Sequence, residues 1–364
     1  MLLTLWILLG LCTLWMALRC LPVGWDWHRP LPELIALIPL LSGPLLVLLV
    51  WALVLAAWPQ VVVTCLLLIV QALWQLVFFL PYPASLLKWV VNLPAWSQPG
   101  RPQNPSASQP GDHLQLMTLN CRYSQASVPA IVAAAEHEQV DLLALQEVSP
   151  AFLQALQKAG LDQLLPYMTQ GPATANDNGG SNAIFSRLQP LEQTARSITL
   201  PASAVPTMTV QALGRRIRFA SAHPKSPQRG GANWGASILA LGQLSTSGVS
   251  GQSNPSAPQT HFPAPEPSLS PAEETVILGD LNSSIHHPTF RRLLADAHLL
   301  DSAVSLHAGI HPSFPASWVG SAPLIEIDHV LHTPGLAAES LSTLRIPQSD
   351  HMSLLVTLAA HQQV

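Results

Sequence analysis

The chain has 364 residues, of which 49% are hydrophobic and only 10% charged, with a formal net charge of −4. Soluble domains carry about 25% charged residues, so part of this chain does not have the composition of an ordinary soluble fold. Cys12, Cys20, Cys65 and Cys121 lack the spacing of a disulfide framework or a structural zinc site.

The apolar excess lies at the N-terminus. Residues 2–18 carry no charge, nor do Leu34 to Trp58, nor Val61 to Leu80. Each stretch approaches or exceeds the roughly 20 apolar residues that cross a bilayer. Three transmembrane helices are therefore expected within residues 1–82, making the protein a multi-pass inner-membrane protein. The first is expected to remain as an anchor, because it has no basic start and Leu18-Arg19-Cys20 is a poor cleavage site. Trp58-Pro59-Gln60 leaves so short a connection that the second and third helices should form a tight antiparallel hairpin. Trp25, Trp27, Trp58 and Trp89 stand near the expected boundaries, where indoles favour the interface. Arg19 and Arg29 in the first loop, with Lys88 and Arg101 after the third helix, place the C-terminal domain in the cytoplasm by positive-inside counting.

Residues 83–112 read as a linker rich in Pro and Ser, and residues 113–364 as one α/β domain. From Asp112 onward there are 12 Lys+Arg against 18 Asp+Glu, a net of −6 that argues against a broad basic surface for duplex nucleic acid. Leu114 to Leu119 alternates as a strand and ends at Asn120. Val128 to His137 has helical spacing, with Pro129 in its first turn. Asp141 to Leu145 is the next strand, running into Gln146-Glu147, and Pro150 to Ala159 a helix closed by Gly160. Strands are expected at Ala183–Ser186, Thr207–Leu213 and Ile217–Ala222, with a hairpin turn at Gly214-Arg215. Trp234 to Leu241 reads as a helix, and residues 245–274 as a disordered insertion of Ser, Pro, Gln and Ala. Val276-Ile277-Leu278 is a buried strand halted by Gly279, and late strands fall at Ile325–Leu331 and Ser353–Leu358. Gly179-Gly180-Ser181-Asn182 reads as a turn. Mixed strands and helices of this kind predict a layered α/β sandwich.

Strand after strand stops at a polar residue that is costly to bury. These are Asn120, Glu147, His223, the Asp280/Asn282 pair, Asp328 and Asp350-His351. Asp280 and Asn282, two apart after a strand, converge on one face; Asp-x-Asn is also turn chemistry. Asp328-His329 also reads as a cross-strand polar pair. Together the carboxylates suit Mg²⁺ or Mn²⁺, and the histidines suit proton transfer or donation in a transition state. His286-His287 and His307 with His311 raise a second metal, against the more ordinary reading of solvated loop histidines.

The ordered series Leu119-Asn120, Leu145-Gln146-Glu147, Ala222-His223, Gly279-Asp280-Leu281-Asn282, Ile327-Asp328-His329 and Ser349-Asp350-His351 resembles the endonuclease/exonuclease/phosphatase superfamily. The resemblance covers nearly all of Asp112 to Val364 and implies a four-layer α/β sandwich with its site at one edge of paired sheets. It also implies roles. Glu147 would be the principal metal ligand, with Asn120 contacting metal or phosphate and Asp350 binding or orienting a metal. His351, oriented by Asp328, would be the general base or its equivalent in charge stabilisation. Asp280 would position or deprotonate the attacking water, Asn282 would hold a phosphate oxygen, and His223 would donate to a non-bridging or leaving oxygen. Arg229 and Asn233 are candidate substrate contacts. The family's relatives with three N-terminal helices would place the domain outside the cytoplasmic membrane, opposite to the charge count.

The expected function is a membrane-anchored, metal-dependent hydrolase of a nucleic acid, lipid-headgroup or small phosphoester, with no obligate protein partner. The alternative is a catalytically silent membrane scaffold on the same fold. Lys158 and Lys225 are the only lysines after Asp112, so no phosphoinositide clamp is apparent.

Overall fold

The computed structural model describes residues 1–81, 92–93, 112–174, 179–246, 274–317 and 322–361. Most of the expected linker, with Lys88, Trp89 and Arg101, and nearly all of the expected insertion lie outside the described residues.

The N-terminal part is helical: α1 (Leu2–Ala17), α2 (Leu31–Ala36), α3 (Ser42–Val54) and α4 (Trp58–Leu76). Leu5, Leu9, Met16, Leu45, Leu48, Ala52 and Trp74 form its packed interior. Its outer face is apolar too, with Leu3, Ile7, Leu14, Val47, Val50, Val54, Val62 and Leu66 exposed. The polar residues of α4 point inward instead: Gln60, Thr64 and Gln71 are buried, and the Gln71 amide donates to the Ile38 carbonyl at 2.8 Å. Among the described residues two helices, Leu2–Cys20 and Trp58–Leu76, are long and apolar enough to cross a membrane by length and composition. The expected second span is shorter, because Pro39 opens it with a 3-10 turn and Ala56, at φ 50°, ends it; its apolar helix is Ile38–Val54. The α3–α4 hairpin is tight as expected, although Trp58-Pro59-Gln60 forms the first turn of α4 rather than the connection.

The larger part follows as β1 (His113–Asn120), α5 (Val128–His137), β2 (Leu142–Val148), α6 (Pro150–Lys158), α7 (Leu161–Leu164), β3 (Tyr167–Gln170), β4 (Ser181–Ser186), β5 (Pro190–Thr199), β6 (Ala204–Ala212) and β7 (Arg215–Ser221). It continues through α8 (Pro227–Ala240), α9 (Gln243–Thr246), β8 (Glu274–Asp280), α10 (Pro288–Asp296), β9 (Leu300–Asp301), α11 (Ser302–Leu306), β10 (Asp328–His332), β11 (Leu336–Arg345) and β12 (Met352–Ala360). Two six-stranded sheets result, ordered β11-β12-β1-β2-β4-β3 and β5-β6-β7-β8-β10-β9.

Alternation along the strands builds the layers. Leu114, Leu116, Leu142 and Ala144 of one sheet meet Met208, Val210, Phe219, Val276 and Leu278 of the other in a shared core. Their sequence neighbours Met117, Leu119, Leu143 and Leu145 face α5, α6 and α7. Ala220 and Ile277 of the second sheet face α8 and α10 through Trp234, Ile238, Phe290 and Leu293. The order is helix, sheet, sheet, helix, as expected for the sandwich.

The expected late strand at Ile325 is corrected: only an isolated bridge joins Ile325 to Phe314, and β10 begins at Asp328. The hairpin between β6 and β7 turns on Leu213-Gly214, both at positive φ, one residue earlier than expected.

In each sheet one pair is parallel, β1 with β2 and β7 with β8. Parallel neighbours end on the same side, so the C-terminal ends of four central strands lie along one edge of the sandwich. Gly279 brings the two middle strands of the second sheet close at that edge. A Cβ there would stand 2.0 Å from the Ala222 carbonyl oxygen, and φ is +147°.

Candidate active site

The edge collects six polar side chains from both sheets. Asn120 ends β1, Glu147 lies near the end of β2, His223 follows β7 and Asp280 ends β8. Asp328 opens β10 directly opposite Asp280 in register, and His351 immediately precedes β12. All six are buried.

Their contacts form one network. The Asn120 amide nitrogen donates to Glu147 Oε1 at 3.2 Å and to Asp280 Oδ2 at 3.0 Å, joining the two sheets. Asn120 Oδ1 accepts from the Arg122 N–H at 2.9 Å, so the side chain is locked at both ends. His223 Nε2 lies 3.3 Å from Asp280 Oδ2 and 3.8 Å from Glu147 Oε1. His351 Nε2 stands 3.7 Å from Asp280 Oδ2, while its Nδ1 is 2.8 Å from Asp328 Oδ2. Phe314 packs on the His351 ring with centroids 4.9 Å apart. A carboxylate behind Nδ1 fixes the ring so that Nε2 faces the cluster.

Electrostatics follow from these distances. Burial would raise the Asp280 pKa, but His351, His223 and the Asn282 N–H hold it well below the usual carboxylate range. Burial disfavours a charged His351, yet Asp328 and Asp280 push it up to about 10. His223 is drawn down by burial and, more strongly, up by its hydrogen bond to Asp280 and by the charge of Asp280 and Glu147. Both histidines are thus held toward imidazolium by the carboxylates around them.

Glu147 is placed by backbone that only part of the sequence announces. It has φ 57°, its Oε2 accepts from the Tyr123 N–H at 2.7 Å, and the Gly179-Gly180 pair packs over it. A Cβ on Gly179 would fall 2.6 Å from the Glu147 carboxyl carbon. The two glycines are therefore more than the turn expected from their sequence: they leave room for the carboxylate. Gln146 is another residue with no role assigned by sequence. Its amide is fully buried and bonds Thr118 and Ser221 across the two sheets at 3.2 and 3.1 Å. An amide on an otherwise apolar strand, one residue before the glutamate, was the available signal.

The remaining expected site residues lie further out. Asn282, at φ 49°, donates its amide to the Pro224 carbonyl at 3.2 Å, and its N–H caps Asp280 Oδ1 at 2.9 Å. Arg229 is exposed at the start of α8 and reaches the Tyr123 hydroxyl, which places it at the rim. Asn233 is also exposed on α8, with its amide beside Gly230, and is not brought to the cluster. Asp350, next to His351 in the chain, is part-exposed, with its carboxylate 3.7 Å from Arg122 Nε.

Asp280, Asp328 and His351 can offer ligand atoms within 4.8 Å of one another. Glu147 and Asp280 converge on the same Asn120 nitrogen, and Asp328 Oδ1 is buried without a hydrogen-bond partner among the described residues. Buried carboxylate oxygens aimed at one point are the donor set of a hard divalent cation, so these residues fit such an ion.

A second group, Asp301, Glu326 and His329, meets the same distance test, but its histidine is already spent. His329 Nδ1 is 2.7 Å from Asp301, and Nε2 is 2.8 Å from the Ser283 carbonyl. Both partners only accept, so both nitrogens carry protons and no lone pair is left for a metal. The expectation of solvated loop histidines at 286 and 287 is also overturned. Both are buried; His287 Nδ1 accepts from the Ser284 N–H and Nε2 donates to the Pro32 carbonyl at 2.9 Å. His307 Nδ1 bonds the Val77 carbonyl at 3.0 Å.

Comparison with known proteins agrees with this geometry. The sequence model of the Endonuclease/Exonuclease/phosphatase family matches residues 117–351. Among curated proteins none matches the sequence. The solved endonuclease/exonuclease/phosphatase from Beutenbergia cavernae is 17% identical, with TM-score 0.50 over 68% of this chain and 72% of that one. D. rerio TDP2, solved with a single-strand DNA product, is 15% identical, with TM-score 0.50 over 68% of this chain and 99% of that one. At such identities the solved structures speak for the fold. The family match spans every residue of the buried cluster and more than half of the chain, which belongs to the endonuclease/exonuclease/phosphatase family.

Proposed function

We propose that the protein is a membrane-anchored, divalent-metal-dependent hydrolase of phosphoester bonds. The observation that carries the reading is the convergence of Glu147, Asp280 and Asp328 with His223 and His351 in one buried cluster. Glu147 would hold Mg²⁺ or Mn²⁺, with Asn120 keeping the carboxylates convergent. The ion, when bound, supplies a positive centre for the phosphate oxygens.

The residues around it divide the remaining work. Asp280, kept ionised by its two histidines, orients the water for in-line attack and accepts its proton. His351 Nε2, with Asp328 fixing Nδ1, donates to an oxygen on which negative charge gathers. As an imidazolium it acts as a charge stabiliser, one of the two roles expected of it. His223 donates from the other side of Asp280 to a second oxygen. Asn282 has given one amide hydrogen to Pro224 and has the other for a phosphate oxygen. Arg229 at the rim meets the part of the substrate beyond the phosphate.

Membrane anchoring is supported by the inside-out pattern of the N-terminal helices, apolar outside with polar residues inward. A contact supports three crossings. The segment between α1 and α2, including Asp26 and Trp27, bonds to Thr289 of the catalytic domain, so both lie on one side of the bilayer. The chain between Ala36 and Val77 must then cross an even number of times. Since α4 is long enough to cross, α3 crosses with it, and with α1 the spans number three.

The test is hydrolysis by the purified full chain in detergent, with Mg²⁺, Mn²⁺ or chelator, of bis-p-nitrophenyl phosphate, nicked DNA and phospholipid vesicles. Metal-dependent release from at least one substrate, lowered roughly 10²- to 10⁴-fold by His351→Ala, is expected. No hydrolysis of any of them, or full activity in the variant, would overturn the reading.

A further inference from the structure

The segment Leu18 to Ala36 is built into the catalytic domain by bonds that a simple tether would not need. Asp26 is fully buried, and its carboxylate accepts from the Thr289 N–H at 2.9 Å and from the Thr289 hydroxyl at 2.6 Å. Thr289 lies in the first turn of α10, where free amides favour a negative charge. The Trp27 indole donates to the same hydroxyl at 2.9 Å.

Trp27 also presses on α8. Gly231 and Gly235, one helical turn apart, make the space: a Cβ on Gly231 would lie 1.8 Å from the Trp27 carbonyl oxygen, and one on Gly235 1.9 Å from its indole nitrogen. Around this pair Arg291 donates to the Arg19 carbonyl at 2.7 Å, Arg19 donates to His286 Nδ1 at 3.3 Å, and Arg29 donates to the Gln228 carbonyl at 3.0 Å. His286 is held neutral, and so able to accept, by burial and by the two guanidiniums.

Both docked pieces lead directly into the phosphate site. The α8 piece carries Arg229 at the rim and Trp234, whose indole donates to the Asn282 carbonyl at 3.0 Å. The other piece, His286 to Arg291, starts four residues after Asn282, at most about 14 Å of extended chain. The loop between the first two apolar helices thus bears on both segments that lead to Asn282.

We propose that Asp26 and Trp27 are positioning residues for the phosphate site: acting through Thr289 and α8 they set Asn282 and Arg229, so that the first membrane loop is a working part of the catalytic unit. The inference rests on the proposed hydrolase for its kinetic arm only. In the full chain, Asp26→Ala and Thr289→Val are each expected to raise KM for bis-p-nitrophenyl phosphate about 10-fold, with kcat changed less. The double variant should lose less than the two single losses combined, since both cut the bond between the Thr289 hydroxyl and Asp26. Trp27→Phe, which keeps the ring and loses only the N–H, should recover most of what Trp27→Ala loses.

Hydrogen exchange supplies the arm that needs no activity. Asp26→Ala should speed amide exchange in Leu281–Arg291 and Gln228–Gly235 relative to β1 and β2. Should Asp26→Ala fail to fold, Thr289→Val reads the same link with a smaller change. Folded Asp26→Ala or Thr289→Val with KM within two-fold of wild type, or with unchanged exchange at Leu281–Arg291, would overturn the proposal. A wild-type chain without hydrolysis would instead count against the hydrolase, leaving exchange to decide the loop.

Discussion

Asp328 and His329 are neighbours in sequence, yet they serve different places, because consecutive strand residues face opposite sides. Asp328 turns to His351, while His329 turns away to Asp301. The two can be tested separately. Asp328→Asn keeps the shape and loses the charge behind His351, so kcat should fall roughly 10²- to 10⁴-fold with KM little changed; steady-state kinetics on the aryl diester checks it. His329 has a stability role with a defined pH window. Burial alone would lower its pKa, but Asp301 raises it to about 9. With the folded value above the unfolded one of about 6.5, its contribution is complete below about pH 6.5 and is lost as pH rises through the folded value. Asp301, whose pKa the same histidine lowers against the effect of burial, loses its share only in acid. His329→Gln should therefore lower the urea midpoint clearly near pH 6 and much less near pH 10, and an equal loss at both would count against the ion pair.

Elements differ in how plainly sequence marks them. Helix α5 runs over Val128–His137 as its spacing predicts, and β2 over Leu142–Val148 within a residue or two of expectation at its start. Edge strands were harder to read: β11 has a mostly exposed, polar outer half, and β5 is broken by register shifts against β6, so neither shows a clean two-residue period. The Gly179-Gly180 turn before β4 looked like ordinary punctuation, although it shapes the glutamate's cavity. Gly179→Ala adds a carbon 2.6 Å from the Glu147 carboxyl at a φ of +105°. The variant should fold with a stability loss of roughly 1–3 kcal/mol and require at least about 10-fold more Mg²⁺ for half-maximal activity. Urea denaturation and metal titration measure the two effects. Unchanged metal dependence would separate the glycines from the site.

At the scale of the whole molecule, the proposed membrane anchoring together with the contact of the first loop with the larger domain requires that both lie on one side of the bilayer. In a cysteine-free background, Val23→Cys and Ser340→Cys should react with an impermeant thiol reagent from one side, and Ala56→Cys from the other. Labelling of Val23→Cys and Ala56→Cys from the same side would contradict three crossings. The experiment also decides between the cytoplasmic placement expected from Arg19 and Arg29 and the opposite placement expected from the family resemblance. Arg19 is a weak topological signal here, since it is buried with its guanidinium on His286 instead of exposed in the loop.

Sequence alone determined the periodic and terminal features: the apolar N-terminal stretches, the alternating strands, and the polar residues where those strands stop. These are legible because side-chain direction along a strand or helix depends only on local geometry. Tertiary structure decided which of the polar residues meet. It brought Asn120, Glu147, His223, Asp280, Asp328 and His351 to one edge, left Asp350 part-exposed and Asn233 exposed, and turned His286 and His287 from expected loop histidines into docking residues. It also carried Asp26 to Thr289, 263 residues away. No local period encodes a contact of that range; it exists only once both sheets have packed and the N-terminal loop has closed on α8 and α10.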